Sequence, residues 1–252
     1  MTPESQVEWE HRQGVAALKP FGEGADMRDR RVLDVGCGFG GKSAHLARCG
    51  ARSVTGIDIS AERIEIAAAF ARRLLLKNVS FEAKDIVSAN YPPGAFDTVL
   101  MLDVIEHLSD PLAALRNCYR LLDQGGRLLV SFPPYGSLWG AHLIPYVSVP
   151  WAQLLFADQT LVKVWRGRFE KAAPGLRAFS AEKRRQLAEA QSVREIWHLN
   201  GMTIAWFEEL LAKVPFKIRC RRPHVLWSLP RVGELRTFRE RLVTRYLAVL
   251  GK

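Results

Sequence analysis

The stretch VLDVGCGFGG, residues 32–41, decides the fold. An apolar run, RVLDVG over 31–36, ends on a glycine, and more glycines follow up to position 41. GGKSAHLARCG, residues 40–50, then has helical character, with Gly50 as its C-terminal cap. Strand, glycine-rich turn and helix in that order form a ligand cradle. Glycine lets backbone approach a bound molecule closely, and the helix N-terminus carries partial positive charge. Gly36, Gly38 and Gly41 also satisfy G-x-G-x-x-G, which by itself suggests a nicotinamide or flavin nucleotide.

The regularity continues outward from this loop. SVTGIDI (53–59) reads as a strand, and SAERIEIAAAFARRLLL (60–76) as a long helix with Ser60 at its N-cap. NVSFEAKDI (78–86) alternates with period two. FDTVLMLDV (96–104) is the continuous apolar run of a central strand buried on both faces. DPLAALRNCYRLLDQGG (110–126) reads as a helix begun by Asp-Pro and ended by Gly-Gly, and RLLVSF (127–132) as a strand closed by Pro133 and Pro134. Alternation at this spacing predicts an α/β fold with a doubly wound, mostly parallel sheet. Right-handed crossovers put the carboxyl ends of its strands on one edge, where ligands bind.

Those strand ends carry Asp34, Asp58, Asp85 and Asp103. Asp34 stands two residues before the first glycine of the loop. A carboxylate there would repel a pyrophosphate but suits a ligand bearing an ammonium and a sulfonium. Asp85 closes the third strand, where a dinucleotide site needs no acid. Asp58 falls about 20 residues beyond Gly36, where it can accept both ribose hydroxyls under either scheme.

Taken together, VLDVGCGFGG, GIDIS (56–60), AKDI (83–86), FDTVLMLDVIEHLSDP (96–111) and LLDQGGRLLVSFPP (121–134) closely resemble the class I S-adenosylmethionine-dependent methyltransferases, in that family's order and spacing over roughly residues 30–134. The resemblance implies a Rossmann-like, seven-stranded, mostly parallel sheet and S-adenosylmethionine as cofactor. It also implies roles. Asp34 and the backbone of Gly36, Gly38 and Gly40 would hold the methionine portion. Asp58 would bind the ribose diol, with Ile59 packing on the adenine. Asp85 would accept from the adenine amine, next to Ile86. Leu102 and Asp103 would line the sulfonium end, and His107 would close that side. Cys37 and Phe39 read as packing or backbone positions of the loop.

After residue 133 the alternation breaks. Residues 134–175 are rich in aromatic residues and proline and read as an inserted helical cap after the fifth strand. The chain thus divides into an N-terminal helical segment (1–30), a cofactor-binding core (31–133), a substrate cap (134–200) and a C-terminal completion of the core (201–252). The last part is expected to contain a helix over 203–214, a strand over 216–222 and an amphipathic helix over 231–250. The stripe of that final helix is Leu235, Phe238, Leu242, Tyr246 and Val249.

Pro133-Pro134-Tyr135 raises the question of base-amine methylation. In methyltransferases of that type an Asp/Asn-Pro-Pro-Tyr loop follows the fourth strand. Here the prolines follow the fifth strand and Phe132 precedes them, so no side-chain acceptor for an amine is present. The prolines read as a strand terminator that turns the chain into the cap. Tyr135 and Trp139 are then candidates for the acceptor pocket. An oxygen or carbon acceptor needs a base, for which His142 and His198 are the candidates. No metal-ligand spacing stands in the sequence, and no metal is expected.

The net charge of +10 is unevenly placed: residues 1–159 carry 16 Lys/Arg against 18 Asp/Glu, and residues 160–252 carry 20 against 8. The basic part suits an anionic group on the acceptor, or simply a solvated face. The expected reaction is therefore O- or C-methylation of a hydrophobic or amphiphilic small molecule, with an anionic group on it as one option. The alternative is an RNA or tRNA methyltransferase using EKRRQ (182–186) and KIRCRR (217–222), disfavoured because no RNA-binding module is recognisable. The arginines of the final helix also suit peripheral contact with a membrane surface. The sequence has no run of about 18 apolar residues, its N-terminus lacks the pattern of a signal peptide, and its four cysteines form no C-x-x-C pair. A cytoplasmic protein is expected.

Overall fold

The computed structural model describes residues 7–12, 18–138, 140–143, 146–171, 188–225 and 236–252. Seven strands form one sheet: β1 (Arg31–Val35), β2 (Ser53–Asp58), β3 (Val79–Ala83), β4 (Phe96–Leu102), β5 (Leu122–Phe132), β6 (Lys217–Val225) and β7 (Val243–Gly251). Their order is β3-β2-β1-β4-β5-β7-β6. The first five are parallel, and β7 lies antiparallel between β5 and β6. The doubly wound, mostly parallel sheet expected from the sequence is therefore the fold observed.

The helices between these strands begin where the sequence supplies a cap. α1 (Gly41–Arg48) follows the glycine turn. Ser60 Oγ accepts from the Arg63 amide at 3.3 Å to start α2 (Ala61–Arg73). Asp110 Oδ1 accepts from the Ala113 amide at 2.9 Å to start α3 (Pro111–Leu121), whose first residue is proline. Each capping oxygen satisfies an amide that has no partner within its helix. Residues 7–12 are helical and rest on the start of α1. A Cβ on Gly41 would lie 2.4 Å from the Val7 carbonyl oxygen, so only glycine permits this approach.

Two hydrophobic clusters hold the sheet. One includes Leu33, Ile57, Val99, Leu115, Phe132 and Phe207, and the other Val32, Leu46, Leu100, Leu129 and Leu247. A third cluster, separate from these, holds the cap. It joins residues of the loop after β5 to α4 (Ala152–Leu155), α5 (Asp158–Lys171) and α6 (Val193–Trp197) around Trp165, which has no exposed surface. α7 (Ile204–Leu211) and α8 (Arg236–Leu242) complete the helices that the structure delimits.

Two sequence expectations are corrected. The helix expected over 110–126 ends at Leu121, and residues 122–126 run into β5, with Leu122 opposite Phe96. Of the amphipathic helix expected over 231–250, the described residues form the short α8 and then strand β7, so the helix ends at Leu242. Tyr246–Leu250 is an unbroken buried apolar run. Such a run satisfies helical spacing, but it also fills a strand that is buried on both faces between two others. The polar stretch at 180–187 lies outside the described residues, as does Trp139. Among the described residues no helix is long and apolar enough to cross a membrane.

Candidate active site

The carboxyl ends of β1, β2 and β4 meet above the glycine turn. The Cys37 amide donates to the Ile57 carbonyl at 3.0 Å, binding the turn to β2. Gly36, Gly38 and Gly40 all have positive φ. At Gly36 a Cβ would fall 2.5 Å from Val104 Cγ2, so the backbone there follows a path that only glycine can take.

Asp34 is buried, and Ser43 Oγ donates to its Oδ2 at 2.6 Å. Burial pushes this carboxyl up from the ordinary value, while nearby Lys42 and the Ser43 bond pull it down. Asp58 is 6% exposed. Its Oδ2 accepts from the Gly38 amide at 3.1 Å and its Oδ1 from the Ser60 amide at 2.9 Å. Beside it Ile59 stands 80% exposed, an apolar face with nothing on it. Asp85 is exposed and folded into a turn, with Oδ1 accepting from the Val87 amide at 2.9 Å. A buried acid at the glycine turn, an acid at the end of β2 and a bare apolar side chain next to it fit a ligand with a cationic head, a diol and a flat apolar base. The residues present thus fit S-adenosylmethionine.

The structure places the remaining expected residues on this side as follows. Ile86 is 2% exposed and belongs to the main core, because the turn at Asp85 points it inward, and its carbonyl accepts from Asn117 Nδ2 at 2.6 Å. Its side chain is therefore part of the core. Asp103 has φ 57 and is held from two sides: Ser131 Oγ donates to its Oδ1 at 3.1 Å, and Arg245 Nη1 lies 2.9 Å from its Oδ2. Leu102 is buried below it in the second core cluster.

Past β4, residues 105–107 form a 3-10 turn. Asn200 clamps this turn to the cap: its amide donates to the Glu106 carbonyl at 2.8 Å, and its Nδ2 donates to the carbonyls of Ile105 and Leu108 at 2.8 and 2.9 Å. His107 Nδ1 bonds the Trp197 carbonyl at 2.8 Å. The rings of His107 and His142 meet edge to face with centroids 5.3 Å apart. The structure thus brings His107 to His142 and places both against Glu106, which the sequence reading quoted but gave no role. Burial raises the Glu106 carboxyl well above its ordinary value and lowers His142 to about 4.

Tyr135 is half-buried against the cap cluster, under the Arg194 guanidinium at 4.7 Å. Its amide donates to the Met202 carbonyl at 2.8 Å. His198 is exposed at the end of α6 with φ 54. Sequence reasoning missed Ser43, Glu106, Asn200 and Arg245. Arg245 was assigned to a helix, whereas on β7 it reaches the end of β4. The one available signal for Glu106 was a charged residue directly after an apolar run, followed by histidine.

Comparison with known proteins adds the following. Residues 26–143 match the sequence model of a family described as a methyltransferase domain. The chain is 37% identical over 111 residues to an ajmaline N-methyltransferase of Rauvolfia serpentina, covering 44% of this chain and 38% of that protein. It is 33% identical over 152 residues to a ubiquinone biosynthesis O-methyltransferase of Coxiella burnetii, covering 56% of this chain and 64% of that protein. The matches thus span 38% to 64% of these relatives' lengths. In fold it is similar to an S-adenosylmethionine-dependent methyltransferase from Mesorhizobium loti, with a TM-score of 0.59 at 18% identity over 98% of both chains.

Proposed function

We propose, from the premise that residues 26–143 are a methyltransferase domain of the class I S-adenosylmethionine-dependent kind, that the protein methylates a hydrophobic or amphiphilic small molecule by in-line displacement. The observation that carries this reading is the pair of buried acids, Asp34 and Asp58, on adjacent strands around the glycine turn. Bound there, S-adenosylmethionine supplies a methyl group made electrophilic by its sulfonium.

The chain's own residues position the reactants and exclude water. Asp34 and the backbone at Gly36, Gly38 and Gly40 receive the ammonium end. Asp58 receives the ribose, Ile59 covers the adenine face and Asp85 accepts from its amine. Leu102 and Asp103 border the transferred methyl. The cap, through Tyr135 and the loop after β5, covers the acceptor. His142 is half-buried and its pKa is lowered to about 4 by burial, a poor match for a general base, which works best with a pKa near the working pH. His198, exposed at the cap's end, is the better candidate for that task on an oxygen or carbon acceptor. The cysteines form no disulfide, which suits a reducing, cytoplasmic setting.

RNA as substrate finds less support. KIRCRR lies on the edge strand β6, where Arg219 and Arg222 donate to the carbonyls of Gly125 and Pro20 and Arg221 faces Glu208. These arginines are engaged within the fold.

Calorimetry with S-adenosylmethionine and S-adenosylhomocysteine tests the proposal. Wild-type protein is expected to bind both at micromolar concentration, and Asp58→Ala to bind at least a hundredfold more weakly, because two backbone amides lose their acceptor along with the ribose contact. A wild-type protein that binds neither compound overturns the reading.

A further inference from the structure

We propose that Glu106, His107 and His142 form a binding site for one divalent transition-metal cation of the zinc type, at the edge of the methyl-transfer site. The Glu106 side chain is 3% exposed, and among the described residues neither of its carboxylate oxygens has a hydrogen-bond partner. His142 Nε2 is likewise buried without one. A carboxylate taken out of water without compensation is costly, and a cation is what it most readily accepts. Glu106 Oε1 lies 3.7 Å from His142 Nε2 and 3.9 Å from His107 Nε2. One ligand atom from each of the three residues lies within 4.8 Å of the others. A tetrahedral cation with bonds of about 2.0–2.2 Å separates its ligand atoms by about 3.3–3.6 Å, so the two Glu106–histidine distances need to close by only a few tenths of an ångström and the two histidines by up to about 1 Å.

The surrounding structure orients the ligands. The Trp197 carbonyl can only accept, so His107 Nδ1 carries the proton, which makes Nε2, 3.9 Å from Glu106 Oε1, the basic nitrogen of the ring. Asn200 fixes the turn bearing Glu106 and His107. His142 has φ 54, a left-handed conformation that an L residue adopts at some cost, as expected where a side chain must be aimed. Its side chain is 25% exposed and that of His107 is 33% exposed, so the cluster opens on the histidine side. Two histidines and one carboxylate with an open position suit a zinc-like ion that takes one further oxygen ligand. If the methyl-transfer reading holds, on which this last step rests, that ligand is an acceptor hydroxyl. The ligand spacing is not visible in the sequence because His142 comes from the loop after β5, one strand away from Glu106 and His107.

The test uses the full chain stripped with chelator and titrated with Co²⁺, followed by equilibrium dialysis and visible absorption. One equivalent per chain is expected, with ligand-field bands that Zn²⁺ displaces. Glu106→Gln, which keeps the buried shape, and His142→Ala should each weaken Co²⁺ binding at least tenfold. His45→Ala, which removes a second histidine next to Cys49, should leave it unchanged. Calorimetry with S-adenosylmethionine on the same samples reads the cofactor site separately. Binding of Co²⁺ without binding of S-adenosylmethionine keeps the cation site and removes the proposed function. No stoichiometric Co²⁺ in the wild type, or binding that survives both Glu106→Gln and His142→Ala, overturns the inference.

Discussion

At the scale of single residues, charge placement separates structural ion pairs from the site. Asp97, at the amino end of β4, is held by Arg31 from the amino end of β1. The Arg31 amide and Nη2 each donate to its carboxylate at 2.7 Å, and Nη2 also reaches Asp123 at 3.0 Å. These bonds hold the Asp97 carboxyl below its ordinary value of 3.8. A depressed value in the folded state means that the stabilisation is present above pH 3.8 and is lost as pH falls through the folded value. Asp97→Asn should therefore cost about 2 kcal/mol at pH 7, with the two proteins converging in urea unfolding as the pH is lowered below 3.8. A difference independent of pH would assign the effect to packing. Much of the cofactor side was legible at this scale, since Asp34, Asp58 and the glycines are adjacent in sequence to the strands that present them. Glu106 and His142 were not, because their meeting depends on how the loop after β5 folds back.

Among the elements, the alternation from β1 to the end of β5 follows directly from sequence, because each buried parallel strand is an apolar run and each helix carries its own cap. β7 did not follow. The arginines and leucines before it favour helix, and five consecutive apolar residues fit both periods. Its place is decided by the sheet: Leu128 pairs with Leu250, and Ile218 pairs with Leu250 from the other side. A strand hydrogen-bonded on both sides should be among the slowest to exchange amide protons. Residues 246–250 are expected to show extended Cα chemical shifts and exchange as slowly as β4, whereas the edge strand β6 exchanges faster. Helical shifts over 246–250 would return the segment to the amphipathic helix. The basic residues of β6 fit its position, since charge and Pro223 on an exposed edge oppose pairing with other chains.

For the whole molecule, the division of apolar contacts into a sheet core and a separate cap cluster predicts that the two parts fail separately. Trp165 is the centre of the cap. It stacks on Phe169 at 4.9 Å and meets Tyr146 and Trp197 edge-on at 5.3 and 5.9 Å. Trp197 in turn presents the carbonyl that orients His107. Trp165→Ala removes the largest buried side chain of the cluster and should destabilise the cap by about 3–5 kcal/mol. Because none of the cap's buried residues belongs to the two core clusters, the β1–β5 sheet should keep its slow amide exchange, and S-adenosylmethionine affinity should stay within twofold of wild type. Methyl transfer should fall, because the loop carrying Tyr135 and His142 loses its support. Hydrogen exchange resolved by segment, together with calorimetry on the same variant, decides the matter. If the sheet opens together with the cap, or if cofactor affinity falls with it, cap and core are one cooperative unit. Substrate recognition would then be inseparable from the stability of the fold, whereas separate failure leaves the cap free to change its acceptor over a constant cofactor site.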